Sequence, residues 1–113
     1  MWICIWFVFL MEQGAISNQS FNLVGDIGAT NARFALVAPG SSEIENIQSL
    51  KCKDFDDIQS AISFFLSSFK GIEISSACFA TAGTVHLDVF KLANNHWTIN
   101  KSNVSETLKN VKV

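Results

Sequence analysis

The sequence is poor in cysteine, in proline and in excess charge, and each shortage excludes a class of protein. Its three cysteines, Cys4, Cys52 and Cys78, are an odd number without a C-x-x-C pair, which argues against a disulfide framework or a zinc site. Eight basic against ten acidic residues leave a net charge of −2, so we predict no nucleic-acid partner. The cysteines are therefore interpreted as buried thiols of a reducing compartment, and we expect a cytoplasmic protein.

The sequence also lacks an apolar run long enough to cross a membrane. Residues 1–11 are uncharged and almost wholly apolar, but as a helix they would rise only about 16 Å, roughly half of a bilayer core. They have neither the positive start nor the small-residue cleavage site of a signal peptide, although a short signal-like anchor is an alternative. We interpret Met11 as the true start and residues 1–10 as translated upstream sequence. Residues 1–20 are assigned to a lead, and residues 21–113 to the domain.

The composition indicates one small globular domain. Of 113 residues, 49% are hydrophobic and 16% charged, which is typical of a folded chain and not of a disordered one. A chain of this length buries roughly two-thirds of its unfolded surface. One helix is predicted from apolar residues at helical spacing, with Asp54 as its N-cap and Lys70-Gly71 at its end. The apolar stripe consists of Ile58, Ala61, Ile62, Phe65, Leu66 and Phe69.

Residues 22–37 predict a strand, a tight turn and a second strand. Asp26 stands at the tip of the first strand, and we expect Gly28 to adopt the positive φ of a tight return. Successive backbone N–H groups in such a turn form a concavity for anions. Asp26 repels a phosphate directly but can hold a hydrated Mg²⁺ that bridges to it, and Thr30 and Asn31 offer a hydroxyl and an amide. The residues alone leave open an ordinary glycine-containing hairpin with a capping aspartate.

The remaining segments predict a mixed α/β domain. Residues 44–52 form a third strand, and residues 75–81 form a strand buried on both faces that ends at residues 82–84. Residues 85–93 return as another strand, and a polar turn over residues 94–97 is anchored by a buried Trp97. Asn100 or Ser102 caps a last short helix that ends near Asn110.

Two stretches resemble bacterial-type glucokinases. Residues 25–33, Gly-Asp-Ile-Gly-Ala-Thr-Asn-Ala-Arg, are similar to the first phosphate-binding motif of that family, with Ala29 in place of its usual second glycine. Residues 80–85 and 92–97 are similar, more loosely, to a second block in which a strand end is followed by an Asn-x-x-Trp or Asn-His-x-Trp segment; Thr84 stands where proline is common. The resemblance covers about residues 21–113.

The resemblance implies a fold, a reaction and a set of site residues. The fold is the N-terminal lobe of the actin-like ATPase (ribonuclease H-like) fold, with the order β-β-β-α-β-β-α, here truncated. The reaction is ATP-dependent phosphorylation of glucose to glucose 6-phosphate, the first step of glycolysis, with Mg²⁺ as cofactor. The resemblance also allows a homodimer for the full-length form. The implied phosphate-binding residues are Gly25, Asp26, Ile27, Gly28, Ala29, Thr30 and Asn31, and Asp26 would bind Mg²⁺ through water.

The same resemblance leaves no catalytic residue within the chain. The family's general base is the aspartate of an Asn-Asp pair at the end of the next strand, which is expected beyond Val113. The chain alone is therefore expected to hold the phosphate-binding turn without phosphorylating glucose. The alternatives are a sugar- or nucleotide-binding module that has lost catalysis, and a truncation product without function.

Overall fold

The computed structural model describes residues 4–10, 20–41, 43–87, 89–93 and 95–110. A mixed sheet is joined by two α-helices, and a short 3-10 helix at Cys52–Asp54 links the first sheet segment to the first α-helix. The strands are β1 (Cys4–Leu10), β2 (Ser20–Ile27), β3 (Asn31–Val37), β4 (Ile44–Lys51), β5 (Glu73–His86), β6 (Val89–Leu92) and β7 (Thr98–Asn100); the helices are α1 (Ile58–Leu66) and α2 (Lys101–Asn110).

The sheet has the strand order β4-β3-β2-β5-β6-β7, and β1 pairs with β5 off this path. Strands β2 and β5 are parallel, whereas the other pairs are antiparallel. The β2–β3 hairpin places Asp26 directly opposite Arg33, and the parallel pairing places Asp26 beside Ala80. The predicted mixed α/β sheet is confirmed, and the predicted phosphate turn joins β2 to β3.

Helix α1 covers one face of the sheet with the predicted stripe. Ile58, Ala61, Ile62, Phe65 and Leu66 are all fully buried, and Phe69 packs against the core just beyond the helix. The predicted cap is wrong by three residues: Asp54 ends the 3-10 helix, and the side chain of Asp57 accepts the backbone N–H of Ser60 at 2.8 Å. The helix also ends at Leu66, ahead of the predicted Lys70-Gly71.

Strand β5 is longer than predicted. It runs through residues 82–84, which were expected to end it, and pairs there with β6. Gly83 permits this pairing, because a Cβ at that position would clash with the backbone oxygen of Lys91. The predicted strand over residues 85–93 is therefore split between the end of β5 and β6, and β7 is an additional strand. Asn100 is confirmed as a cap, since its Oδ1 accepts the N–H of Asn103 at 3.2 Å.

Residues 4–10 form a strand that the sequence did not predict. Cys4 to Leu10 pair in antiparallel register with residues 76–82 of β5, on the edge of β5 that β2 leaves free. The interpretation of Met11 as the true start stays a prediction, and residues 11–19 lie outside the described residues. Among the residues that are described, no helix is long and apolar enough to span a membrane.

Candidate functional site

The turn between β2 and β3 presents most of the predicted site residues to solvent. Its closing bond runs from the N–H of Gly28 to the carbonyl of Asn31 at 2.9 Å. Of the seven predicted residues, Asp26, Gly28, Ala29, Thr30 and Asn31 are exposed, whereas Gly25 and Ile27 are buried. The structure therefore exposes five of the predicted residues in or next to this turn and buries the other two, Gly25 and Ile27.

The backbone of the turn differs from the prediction. Gly28 does not have the positive φ that was expected of it, and the non-glycine residues with positive φ, Asn46 and Leu87, lie elsewhere. A three-residue connection closed by the Gly28–Asn31 bond reverses the chain without a left-handed residue. Ala29 therefore occupies the place of the family's second glycine without backbone strain.

Gly25 has a packing role that its place in the motif did not indicate. A Cβ on Gly25 would lie 2.7 Å from Cδ1 of Phe79 and 3.1 Å from Cδ1 of Phe34. The two phenylalanine rings are in edge-to-face contact, with centroids 6.2 Å apart. The absence of a side chain at residue 25 thus lets the rings meet beneath the turn, and any contact of Gly25 with phosphate stays a prediction.

Asp26 is held by an ion pair at the surface. Arg33 Nη2 donates to Asp26 Oδ2 at 2.7 Å, with the two side chains 61% and 59% exposed. No group of three or more metal-ligating side chains occurs in the part of the chain that is described. One exposed carboxylate fits a Mg²⁺ ion that keeps most of its waters and takes its other ligands from phosphate, and it does not fit a cation held by protein alone.

Two other segments fix the turn from behind. The N–H of Cys52 donates to the carbonyl of Thr30 at 2.9 Å, and Nδ2 of Asn95 donates to the carbonyl of Gly28 at 3.0 Å. Asn95 Oδ1 also accepts the N–H of Trp97 at 2.9 Å. The carbonyls of Gly28 and Thr30 are therefore hydrogen-bonded to other parts of the protein.

Cys52 lies directly behind the turn and is fully buried. Its thiol is 3.9 Å from the carbonyl oxygen of Gly28. Burial raises the pKa of the Cys52 thiol, and a hydrogen bond from Asn95 and one from its own backbone oppose that effect. The thiol is consequently neutral near pH 7, so it adds no negative charge behind the turn.

The backbone oxygen of Phe55 joins the two supporting segments. It lies 3.0 Å from Nε1 of Trp97, which donates to it, and 2.9 Å from Nε2 of His96. Because a carbonyl only accepts, Nε2 of His96 carries the hydrogen of this bond. Trp97 is only 1% exposed, which confirms the predicted anchor. Residues 28–30, 51–55 and 95–97 therefore form one hydrogen-bonded unit.

The exposed turn borders several cavities, and two of them, of different character, share both Ala29 and Thr30. One, of about 450 Å³, includes Asp26, Asn31, Arg33 and Ser49. The other, of about 330 Å³, includes Lys51, Cys52, Lys53, Asn95 and His96.

A third cavity, of about 550 Å³, lies on the sheet face away from α1 and touches the site only at its rim. Apolar side chains dominate its lining, with the Asp26–Arg33 pair at the edge. Such a surface lacks the convergent polar groups that orient a sugar or a phosphate. The chemistry of the candidate site therefore lies at the two polar cavities. The apolar lining includes Val24, Ala35, Val37, Ile44, Ile47, Cys78 and Ala80.

Several residues of the site were missed from the sequence. Asn95 was assigned to a surface turn, yet it binds the phosphate turn directly. Cys52 and the Phe55 carbonyl support the turn through contacts that no spacing predicts. A signal was present for Asn95, because it belongs to the second stretch that resembles the kinase family.

Comparison with known proteins identifies related chains. The glucokinase family profile matches residues 23–113. A glucokinase of Hahella chejuensis is 46% identical over 93 residues, which are 82% of this chain and 29% of that protein. A glucokinase of Chromohalobacter salexigens is 40% identical over 84 residues, 74% of this chain and 26% of that protein. The chain thus spans less than a third of the length of the curated relatives it matches.

A solved structure has the same architecture. The crystal structure of a glucokinase from an Antarctic psychrotroph superposes with a TM-score of 0.60 at 25% identity, over 81% of this chain and 30% of that one. The predicted fold class, a partial N-terminal lobe of the actin-like ATPase fold, is confirmed by this match together with the mixed sheet and its two helices.

Proposed function

Because this chain belongs to the glucokinase family, we propose that it carries the phosphate-binding part of an enzyme that transfers the γ-phosphate of ATP to glucose. The product is glucose 6-phosphate, and the reaction opens glycolysis in the cytoplasm. The complete protein performs the transfer, whereas the 113 residues alone bind MgATP without turnover. The observation that carries this proposal is the exposed turn over residues 28–30, held from behind at the carbonyls of Gly28 and Thr30, with Asp26 near the end of the strand that precedes it.

The turn suits the phosphate chain of a nucleotide for two reasons. Its carbonyls at residues 28 and 30 point to protein donors, which leaves the exposed side of the turn to the hydroxyl of Thr30 and to backbone N–H groups that favour anions. Asp26 supplies a carboxylate for the waters of Mg²⁺. When bound, the metal would neutralise charge that develops on the transferred phosphoryl group.

Arg33 determines how Asp26 is presented. It holds Oδ2 of the carboxylate at 2.7 Å, so the side chain has a fixed direction before any ligand arrives. Preorganised groups cost less to align at the moment of reaction. We propose that this pair positions the metal relative to the turn.

Phosphoryl transfer also needs a group that orients and deprotonates the sugar hydroxyl. We propose that this base belongs to the part of the enzyme that follows residue 113. The test is to sequence the gene and its transcript past the Val113 codon and to measure glucose 6-phosphate formation by the encoded protein. Turnover that requires ATP, Mg²⁺ and glucose supports the proposal. Binding of ATP and glucose without turnover would overturn it in favour of a binding module.

A further inference from the structure

The second cavity beside the turn, of about 330 Å³, carries a group of basic side chains that the motif does not include. Lys51 and Lys53 come from the end of β4 and the 3-10 helix, and His96 comes from the segment before β7. Ala29 and Thr30 of the turn line the same cavity. Side chains from three separated segments therefore converge next to the predicted phosphate position.

The two lysines converge for a local reason. Cys52 between them is buried and its N–H is bonded to the carbonyl of Thr30 at 2.9 Å. Lys51 is the last residue of β4, and Cys52 and Lys53 begin the 3-10 helix; both lysines are exposed on either side of the buried Cys52. The bond that fastens residue 52 to the turn thus presents Lys51 and Lys53 to the solvent beside Thr30.

His96 and Asn95 complete the cavity from the other side. The ring of His96 is fixed by its bond to the carbonyl of Phe55 at 2.9 Å, and Asn95 is fixed by its bond to Gly28 at 3.0 Å. These bonds connect the segment to the same two elements that carry the lysines and the turn. The cavity is consequently built by a hydrogen-bonded framework and not by loose surface side chains alone.

The charge of the cavity is not cancelled by ion pairs. Within the described residues, the Asp26–Arg33 pair is the ion pair found at the turn, and neither Lys51 nor Lys53 is in one. The nearest acidic residues in sequence are Asp54, Asp56 and Asp57; Asp57 is occupied as the cap of α1. Lys51 and Lys53 are therefore two exposed lysines without an ion-pair partner among the described residues.

We propose that Lys51 and Lys53, beside the fixed ring of His96, form an anion subsite that binds the outer oxygens of a polyphosphate lying across residues 28–30. A lysine ammonium is a compact point charge with three donors, suited to phosphate oxygens. In this arrangement Asp26, on one side of the turn, binds the hydrated cation, and the lysines, on the other side, bind the phosphate oxygens. The subsite deepens the proposed function, and the identity of the polyphosphate as ATP rests on that function.

The experiment compares two charge-matched double variants of the 113-residue chain. Lys51→Gln/Lys53→Gln removes the subsite, and Lys70→Gln/Lys109→Gln removes two exposed lysines elsewhere. Each protein is titrated calorimetrically with inorganic tripolyphosphate and with MgATP at two salt concentrations. Exposed charge pairs contribute modestly and are screened by salt, so we expect the first variant to weaken tripolyphosphate binding about three- to tenfold, with a smaller salt dependence.

The outcomes separate the subsite from the proposed function. Weakening in the first variant and not in the second supports the subsite; equal effects in both variants, or no effect in either, overturn it. If wild-type protein binds tripolyphosphate through the lysines but does not bind MgATP, the subsite stands and the nucleotide function falls. If MgATP binds to the wild-type protein and the Lys51→Gln/Lys53→Gln variant binds tripolyphosphate equally well, the nucleotide function stands and the subsite is overturned.

Discussion

Arg33 Nη2 lies 2.7 Å from Oδ2 of Asp26, and the two residues are direct register partners on β3 and β2. The pair is well over half exposed, so it contributes little to folding stability. The pair lies one residue pair away from the exposed turn, so it affects the site more than it affects the stability of the fold. It fixes the direction of the carboxylate that is predicted to bind hydrated Mg²⁺ and places a competing positive charge beside it.

Replacing Arg33 by glutamine should increase the affinity of the site for Mg²⁺ and leave the fold intact. Removing one positive charge next to a divalent cation lowers repulsion, and we expect the Mg²⁺ concentration at half-saturation of ATP binding to fall by about threefold. The melting temperature should change little, because substitutions of exposed residues usually alter the free energy of unfolding by no more than about 0.5 kcal/mol. Calorimetric titration of Mg²⁺ at fixed ATP measures the first effect. A rise in the Mg²⁺ requirement would show instead that the orientation of Asp26 by Arg33 matters more for metal binding than the repulsion.

Asn95 connects the turn to the segment before β7 through two hydrogen bonds. Asn95→Ala removes both and should cost about 1–2 kcal/mol of unfolding free energy, with weaker binding of ATP. Asn95→Asp keeps the acceptor for the N–H of Trp97 but puts a carboxylate oxygen in place of the donor to the carbonyl of Gly28, so it should be no more stable than Asn95→Ala. Urea unfolding of the three proteins measures the order. An Asn95→Asp variant that is more stable than Asn95→Ala would mean that the bond to the N–H of Trp97 carries most of the effect.

Gly25 should tolerate no side chain, whereas Gly28 should. A Cβ on Gly25 would overlap the ring of Phe79 at 2.7 Å, and overpacking of this kind costs about 1–3 kcal/mol. A Cβ on Gly28 would lie 3.4 Å from the carbonyl of Asn31 in an ordinary backbone conformation. Thermal melts of Gly25→Ala and Gly28→Ala should therefore differ clearly. Equal melting temperatures would contradict the packing role of Gly25.

Deleting residues 1–10 should promote self-association. Strand β1 covers residues 76–82 of β5, and its removal uncovers a long strand edge that can pair with another chain. The deletion also reproduces the protein that starts at Met11. Light scattering after gel filtration should show oligomers for the deletion and monomers for the full chain. A monomeric deletion with an unchanged melt would show that β1 does not protect this edge.

Two proline substitutions in β1 give the control for that deletion. Successive residues of an antiparallel strand direct their N–H groups alternately to the partner and away from it. Phe7→Pro and Val8→Pro therefore differ in whether a ladder bond to β5 is lost. One of the two variants should resemble the deletion and the other should resemble the full chain more closely. Identical behaviour of both would indicate an effect of composition and not of pairing.

Local patterns in the sequence predicted local structure well. The helical stripe from Ile58 to Leu66 is one buried face, and Trp97 is the predicted anchor. The strand–turn–strand unit around Asp26 was also predicted, because its signals lie within a few consecutive residues. The α/β class follows from these elements.

Contacts between distant segments were not predictable from one sequence. The bond from Cys52 to Thr30 and the two bonds to the Phe55 carbonyl depend on how β4 and the segment before β7 meet in space. Strand β1 escaped prediction because its apolar residues do not alternate with polar ones, so their pattern favours no one element. Gly25 was assigned to phosphate approach, and its contact with Phe79 appears only once β2 and β5 are paired.

We propose that the turn binds nucleotide through a metal held by Asp26. The direct measurement is the affinity of the 113-residue chain for ATP with Mg²⁺ and with a chelator, in wild type and in Asp26→Asn. Asp57→Asn is the matched control, because it makes the same change at a helix cap where asparagine also serves. We expect Mg²⁺ to strengthen ATP binding by about tenfold or more in wild type and in the control, and Asp26→Asn to abolish this enhancement, because a charged metal contact is lost. Full enhancement in Asp26→Asn, or no ATP binding by the wild-type chain, would contradict it.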